Sequence, residues 1–185
     1  MRKNLGAKPI LYPQAVFIVG SYDEEGNANA MNVAWGGVAD SNKIFMCISN
    51  HKSTENILAR KAFTVSMGTA EQLVACDYVG IVSANNEPDK IKKAGFHTVK
   101  SEFVDAPIIK ELPMTLECKL ISYDSKNSYM FGEIVNVSVD ESILDEQGKI
   151  SVQKLRPIIF DGANAAYHII GEKVGNAFQD GKVLK

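Results

Sequence analysis

The residues best suited to bind a ligand stand at 49–56 (SNHKSTEN), between an apolar segment and a predicted helix. The first backbone N–H groups of a helix have no partner inside it, and the helix dipole makes that end partly positive. Further hydrogen-bond donors stand at the same place, namely His51, Lys52, Ser53 and Thr54. We therefore predict a phosphate site here. The alternative is that Ser53 only caps the helix and that Lys52 is solvated.

A second candidate is the extended segment 29–37 (NAMNVAWGG). Asn29 and Asn32 point to opposite faces of a strand, so we do not expect both to reach the same solvent. An inward amide needs partners, and a planar heterocycle with carbonyl and N–H edges would supply them. Trp35 beside two glycines would wall a flat ligand, and the Met31 thioether packs well on an aromatic ring. The alternative is a polar hairpin edge with a core tryptophan.

Other kinds of chemistry find less support. Three scattered histidines, without an HExxH pattern or cysteine partners, predict no metal site. The sequence has no GxSxG nucleophile elbow, so we do not expect a hydrolase of that type. It also has neither a GxGxxG motif nor a Walker loop, so any nucleotide or flavin is not bound by those motifs. The lysines at 90–93 (KIKK) are typical of a solvated helix face, although Lys90 is placed to reach an anion.

The elements that must position these residues are mostly short strands joined by turns. We predict helices over 53–61 and 71–78 and a third that starts at 87–89. This helical pair between strands is interpreted as an excursion and not as a second domain. Strands so closely spaced, with few helices, favour a mainly β fold built as an antiparallel barrel. The predicted strands cover 14–21, 28–39, 43–49, 62–67, 113–123, 129–139, 155–160 and 167–170.

Length and composition agree with one globular domain. The chain has 185 residues, 45% of them hydrophobic, and a formal net charge of −2, which argues against nucleic-acid binding through bulk charge. No run approaches 18 apolar residues, so we expect no membrane span. Three cysteines lie far apart without a CxxC pair. We interpret them as reduced, mostly buried thiols of a cytoplasmic protein.

Taken together, these segments resemble the flavoredoxin branch of the flavin reductase-like FMN-binding split-barrel family. The order of the segments carries the resemblance over nearly the whole chain. VFIVGSYDEEGNANAMNVAWGG is followed by KIFMCISNHKSTENI and FTVSM. Then come DYVGIVSANNEPDKIKKAGF, APIIKELPMTLECKL and FGEIVNVSVDESILDEQGKI. One departure is the sequence at 83–85 (SAN), where relatives often have Ser-Gly.

The resemblance implies an antiparallel Greek-key split barrel with a few short peripheral helices, a single domain over residues 1–185. It also implies a homodimer with FMN near the interface. The isoalloxazine ring and the ribityl chain would be flanked, largely by backbone groups, at Asn29, Ala30, Met31, Asn32, Val33 and Trp35. The phosphate would be held by Ser49, Asn50, His51, Lys52, Ser53 and Thr54. Lys90 would close over the flavin.

The function implied is an FMN-dependent oxidoreductase, either an NAD(P)H:flavin reductase or a flavoredoxin-like electron carrier. The electron donor would be a reduced nicotinamide or a redox protein. The flavin would carry the redox chemistry, so we name no catalytic side chain. The alternative is a split barrel that binds flavin without turnover, as an electron carrier or a partner subunit. An OB-like barrel for single-stranded nucleic acid is disfavoured by the acidic sequence pI of about 5.9.

Overall fold

The computed structural model describes all 185 residues and is built around one curled, seven-stranded antiparallel sheet. Its strands in chain order are β1 (Phe17–Tyr22), β2 (Ala28–Val33), β3 (Gly36–Asp40), β4 (Lys43–Cys47), β5 (Ala62–Met67), β8 (Met114–Asp124) and β9 (Tyr129–Val139). Their order across the sheet is β2-β1-β5-β8-β9-β4-β3. Two small sheets pair β6 (Thr98–Lys100) with β7 (Pro107–Ile109) and β10 (Ile158–Asp161) with β11 (Ala166–Ile169).

Four short helices lie around this sheet: α1 (Lys52–Arg60), α2 (Leu73–Ile81), α3 (Lys90–Lys93) and α4 (Val152–Leu155). Two 3-10 turns cover Glu141–Ile143 and Asp180–Leu184. The predicted fold class, an antiparallel split barrel with short peripheral helices, is therefore confirmed. No helix is both long enough and apolar enough to pass through a lipid bilayer.

The core consists of two main apolar clusters, one on each side of β1. Inside the barrel, Phe63, Met46 and Met130 are fully buried, because alternate residues of each strand point inward. On the other face of β1, Ile18 packs with Cys76 and other apolar residues of α2. This second cluster holds α2 against β1 and β2, so the helix and the edge strand form one surface.

The prediction of a single extended segment over 28–39 is wrong. β2 pairs only with β1 and β3 only with β4, so the two strands lie at opposite edges of the sheet. The chain crosses between these edges at Ala34 and Trp35. At Gly36 the backbone passes so close to β4 that an added Cβ would stand 2.5 Å from the Phe45 carbonyl oxygen. A larger residue would clash there.

The segment between β5 and β8 contains more secondary-structure elements than predicted. It contains α2 and α3 as expected, with Gly95 in the left-handed region (φ +77°) just after α3. It also contains the paired strands β6 and β7, which were not predicted. The predicted strand 155–160 starts only at Ile158, because Leu155 closes α4.

Candidate functional site

A cavity of about 290 Å³ lies where β2, the start of α1 and the end of α2 meet. We call it the polar cavity. Most of the residues predicted to hold a ligand border it. Its lining consists of Asn29, Met31, Asn32, His51, Lys52, Ser53, Val79, Gly80, Ile81, Val82, Ser83, Ala84 and Lys90.

The start of α1 supplies the donors of this cavity. The Thr54 hydroxyl donates to the Ser49 carbonyl oxygen at 2.6 Å and accepts from the His51 N–H at 3.4 Å, so Thr54 closes the first turn. The first N–H to bond back along the helix is that of Glu55, which donates to His51 O at 3.1 Å. The N–H groups of Lys52 and Ser53 have no intrahelical partner and remain available to an anion, whereas the Thr54 N–H faces the His51 side chain in a capping box. The alternative that Ser53 caps the helix is wrong.

The Ser53 hydroxyl instead accepts a hydrogen bond of 2.8 Å from Asn29 Nδ2 on β2. Asn29 is 5% exposed, and its Oδ1 is the one buried side-chain polar atom of the chain without a partner. Leaving a buried acceptor unpaired costs about 1–3 kcal/mol. Because a phosphate dianion has no hydrogen to donate, the ligand that satisfies this oxygen must carry a donor such as a hydroxyl group.

Lys90 brings a second cation to the cavity. Its side chain is 3% exposed, and its ammonium donates to the carbonyl oxygens of Val79 at 2.9 Å and Val82 at 2.5 Å, at the end of α2. These carbonyls have no intrahelical donor and draw the lysine inward, so the prediction of a solvated face is wrong for Lys90. No carboxylate pairs with it. Burial without a counter-charge lowers the pKa of Lys90 to about 8.

The floor of the cavity is the direct contact between α2 and β2. A Cβ added at Gly80 would stand 2.7 Å from Asn32 Cβ, so only glycine fits there. The Asn32 amide donates to the Cys76 carbonyl oxygen at 3.2 Å across the same contact. Asn29 and Asn32 point to opposite faces of β2, yet both border this cavity. The expectation that they would not share solvent is wrong, because β2 is an edge strand that the cavity wraps around.

A second cleft of about 300 Å³ adjoins the polar cavity and shares Asn32, Gly80 and Ile81 with it. We call it the aromatic cleft. Trp35 borders it and is 50% exposed, so the alternative of a core tryptophan is wrong. The two clefts form one path along β2, polar at one end and aromatic at the other. The full lining of the aromatic cleft is Asn32, Ala34, Trp35, Asp77, Gly80, Ile81, Phe160 and Tyr167.

The far wall of the aromatic cleft carries one hydrogen-bonded pair. The Tyr167 hydroxyl donates to Asp77 Oδ1 at 2.7 Å. Burial of the ring and then this hydrogen bond raise the pKa of Tyr167 to about 12, so the phenol stays neutral at physiological pH. Neither residue was predicted from the sequence, nor were Gly80 and Phe160. Gly80 lies just beyond the predicted helix 71–78, whereas α2 extends to Ile81 and includes it.

A third concave surface of about 700 Å³, larger than the two clefts, is called the apolar groove. It lies on the face of β3, β4 and β9, on the other side of Trp35. The rings of Phe45 and Tyr129 meet edge to face there, with centroids 5.3 Å apart. Its lining is mainly hydrophobic and comprises Leu11, Pro13, Gln14, Ala34, Trp35, Gly36, Gly37, Val38, Ala39, Phe45, Cys47, Tyr129 and Phe131.

Several residues from the predicted set lie outside the lining of the polar cavity. Ala30 and Val33 are buried in the two core clusters, and their side chains point away from it. Ser49 and Asn50 are exposed ahead of α1. The Thr54 hydroxyl is used within the first helical turn. These positions shape the loop and the strand but do not themselves face the cavity.

The reactive groups elsewhere form no second centre. Cys76 and Cys118 are buried, and loss of solvation raises their pKa values to about 11 and about 12. All three cysteines are free, as predicted. No group of three or more His, Cys, Asp or Glu side chains is placed to hold a metal ion.

The fold is a split barrel, and the lining of these clefts suits a ligand with an anionic end and a flat ring. The model of the flavin reductase-like domain family matches residues 10–164. The chain therefore belongs to this family of FMN-binding split barrels. The residues present fit that cofactor, because helix N–H groups and two ammonium groups suit its phosphate. The unpartnered Asn29 oxygen suits a ribityl hydroxyl.

Comparison with solved structures supports this assignment. Flavoredoxin of Desulfovibrio vulgaris (Miyazaki F) is 37% identical with a TM-score of 0.93, covering 98% of this chain and 100% of that one. Flavoredoxin from Methanosarcina acetivorans is 25% identical with a TM-score of 0.87, covering 100% and 98%. Among relatives known by sequence, an uncharacterized protein of Aquifex aeolicus (strain VF5) is 34% identical over 108 residues, which are 57% of this chain and 55% of that protein's length.

Proposed function

We propose that the protein is an FMN-dependent oxidoreductase that passes hydride or electrons through the flavin, like an NAD(P)H:flavin reductase or a flavoredoxin. The observation that carries the proposal is the continuous path formed by the polar cavity and the aromatic cleft, which share Asn32, Gly80 and Ile81. FMN likewise has an anionic phosphate at one end and a flat aromatic ring at the other. When bound, it supplies the redox chemistry, and the protein supplies binding and orientation.

At the polar end the chain binds the phosphate. The unpaired N–H groups at the start of α1 donate to it, and the Lys52 ammonium neutralises part of its charge. Lys90 contributes a second positive charge from beneath the cavity, where low solvent exposure strengthens its field. Asn29 Oδ1 would accept from a hydroxyl of the ribityl chain and would so gain the partner that it otherwise lacks.

At the aromatic end the chain orients the ring and excludes water from it. Trp35 and Phe160 provide the flat apolar walls. Tyr167 is neutral and already committed to Asp77, so it acts by position and not by transferring a proton. No histidine or thiol borders either cleft apart from His51 at the phosphate end. For this reason no side chain is assigned a catalytic role, and the rate advantage comes from orientation.

A second candidate function is a flavin-binding split barrel without turnover, acting as an electron carrier or a partner subunit. It is favoured by the same shortage of proton-transferring groups in the clefts. The first function takes a reduced nicotinamide or a redox protein as its electron donor. Both functions place the flavin in the same site, so they differ in whether the protein turns over with such a donor.

We also propose that the protein works as a cytoplasmic homodimer. β3 is an unpaired edge strand whose Val38 side chain is 77% exposed beside the apolar groove. Exposed edges and large apolar surfaces are typical of sites that another chain covers. The three free thiols suit a reducing compartment.

Absorption spectroscopy of the purified protein, before and after anaerobic addition of NADH or NADPH, tests the function. We expect flavin bands that bleach with one nicotinamide. Bands that bleach with dithionite but with neither nicotinamide favour the carrier. The variant Phe160→Ala should retain less flavin, whereas Phe103→Ala, at an exposed loop position outside both clefts, should not. A protein that stays colourless after incubation with excess FMN contradicts both functions.

A further inference from the structure

The last fifteen residues, 171–185, form an arm that leaves the barrel after β11. The arm carries four large apolar side chains that its own protomer does not cover. Val174, Phe178, Val183 and Leu184 are between 85% and 101% exposed. Soluble proteins seldom leave such a cluster in water, so these side chains indicate a surface that another element covers.

The arm has a defined shape, unlike a polar tail. Asp180 Oδ2 accepts a hydrogen bond of 2.8 Å from the Asn176 N–H, and a 3-10 turn follows over Asp180–Leu184. Phe178 has φ +61°, in the left-handed region that bulky residues rarely adopt. Such a conformation persists only where its surroundings impose it. The Phe178 side chain is 94% exposed, so its own protomer does not cover the ring.

The apolar groove is a receptor of matching chemistry. It holds about 700 Å³, and its rim carries Trp35, Val38 and Tyr129, which are 50%, 77% and 45% exposed. The rim also includes the free edge of β3, whose backbone groups have no partner strand on that side. Aromatic rings are the usual anchors of protein–protein contacts, and Phe178 is the large ring that the arm offers.

The origin of the arm lies next to the groove. The β10–β11 hairpin, from which the arm emerges, contacts the segment before β1, because the Phe160 N–H donates to Gln14 O at 2.8 Å. Gln14 and Leu11 border the groove. An arm of fifteen residues spans at most about 50 Å, at roughly 3.3–3.6 Å per residue, which is enough to reach a neighbouring copy.

We propose that the arm of one copy docks in the apolar groove of a second copy, and that its own groove receives the partner's arm. A two-fold pair makes this exchange reciprocal and covers both unpartnered surfaces at once. The proposal rests on the homodimer proposed above but not on flavin binding. It identifies Phe178 as the side chain that anchors each arm.

Sedimentation and cross-linking together test the arm. Phe178→Ser should raise the dimer dissociation constant at least about tenfold, and removal of residues 171–185 at least about a hundredfold, as for loss of a central anchor. The matched control is Val74→Ser, because Val74 is an apolar residue on α2 with a similar exposed fraction, 83% against 94% for Phe178, and lies outside the lining of the groove. It should leave the dissociation constant unchanged.

The position of the arm is tested with p-benzoylphenylalanine in place of Phe178, in mixtures of isotopically light and heavy protein. We expect cross-links between light and heavy chains at β3, β4 or β9. Cross-links within one chain only, or to another face of the partner, overturn the proposal. A dimer of unchanged strength without the arm overturns it too, while leaving the homodimer intact. A protein that is monomeric at all concentrations contradicts both, without bearing on the flavin site.

Discussion

The hydroxyl of Tyr167 donates a hydrogen bond of 2.7 Å to Asp77 Oδ1, which ties β11 to the middle of α2 across the aromatic cleft. No other side-chain hydrogen bond joins the small β10–β11 sheet to α2 at the cleft. The width of the cleft therefore depends on this contact, and so does the fit of a flat ring within it.

Replacing Tyr167 by phenylalanine removes this link and keeps the ring. We expect the free energy of unfolding to fall by about 1 kcal/mol, the usual net value of one hydrogen bond. FMN affinity should fall severalfold, because the cleft is no longer held at its width. Tyr22→Phe, at a half-buried tyrosine remote from the cleft, serves as the control. Urea denaturation and flavin fluorescence titration measure the two effects. Unchanged FMN affinity in Tyr167→Phe would count against this role.

The lowered pKa of Lys90 leads us to predict that FMN affinity depends on pH. Its pKa of about 8 means that the free protein loses this positive charge as the pH rises through 8. At pH 9 about one tenth of the lysine remains protonated, so FMN affinity should be about tenfold lower than at pH 7. Lys90→Met should bind FMN weakly and without this dependence. Lys92→Met, at an exposed position on the same helix, should behave like the unmodified protein. A flat profile in the unmodified protein would refute the assignment.

The same lysine affects stability in the opposite direction. Because the folded pKa lies below the ordinary value, the unfolded chain holds more protons between pH 8 and about 10.4. Lys90 therefore contributes increasing stability of the cofactor-free protein as the pH rises through that window. Comparing urea midpoints of the unmodified protein and Lys90→Met at pH 7.5 and 10 isolates this contribution. We expect the urea midpoint of the unmodified protein to rise relative to that of Lys90→Met between pH 7.5 and pH 10, because the charge is no longer buried. A relative midpoint that falls over this range would contradict the assignment.

We predict that loss of the Asn29 side-chain oxygen weakens FMN binding at the ribityl chain. Asn29→Leu keeps the approximate volume but removes the oxygen that we assign to a ribityl hydroxyl. We expect FMN to bind about tenfold less tightly, the value of one hydrogen bond of about 1.4 kcal/mol. The control is Asn56→Leu, which breaks a buried contact of 3.3 Å to Ser21 away from the cavity. That variant should lose stability but not affinity. Equal FMN binding by Asn29→Leu and the unmodified protein would be the contrary outcome.

A substitution at Gly80 tests the contact between α2 and β2, which borders both clefts. In Gly80→Ala the new Cβ meets Asn32 Cβ at 2.7 Å, so α2 must move away from β2. Overpacking of this kind costs about 1–3 kcal/mol of stability, and FMN binding should be lost because both clefts change shape. Gly171→Ala, where an added Cβ meets nothing within 4 Å, is the control for both thermal melting and FMN titration. A Gly80→Ala protein that binds FMN normally would show that the path along β2 is not the site.

The strand and helix pattern was largely predictable where local periodicity decides it. β5 and β9 have the predicted bounds, and α1 begins one residue before the predicted start. Prediction failed over 28–39 because alternation continues through Ala34 and Trp35, while the crossing between sheet edges depends on contacts distant in sequence. β6 and β7 were missed because strands of three residues are too short to show a period.

The phosphate end of the site was predictable and the ring end was not. A helix start with hydroxyl and ammonium groups is a local signal, and residues 51–53 do border the polar cavity. Asp77 and Tyr167 are 90 residues apart and meet only because α2 and β11 fold onto the same edge. Lys90 lies within a lysine-rich stretch, so composition suggested solvent exposure. The carbonyls at the end of α2 determine its burial instead.

We propose above that the start of α1, with Lys52, binds the phosphate of a flavin whose ring lies in the aromatic cleft. The most direct test compares the dissociation constants of FMN and riboflavin, which differ only in the phosphate. We predict that the unmodified protein binds FMN at least about a hundredfold more tightly, as expected for two or more charge-assisted hydrogen bonds. Lys52→Met should weaken FMN and leave riboflavin unchanged. Equal affinities for FMN and riboflavin in the unmodified protein would contradict the account.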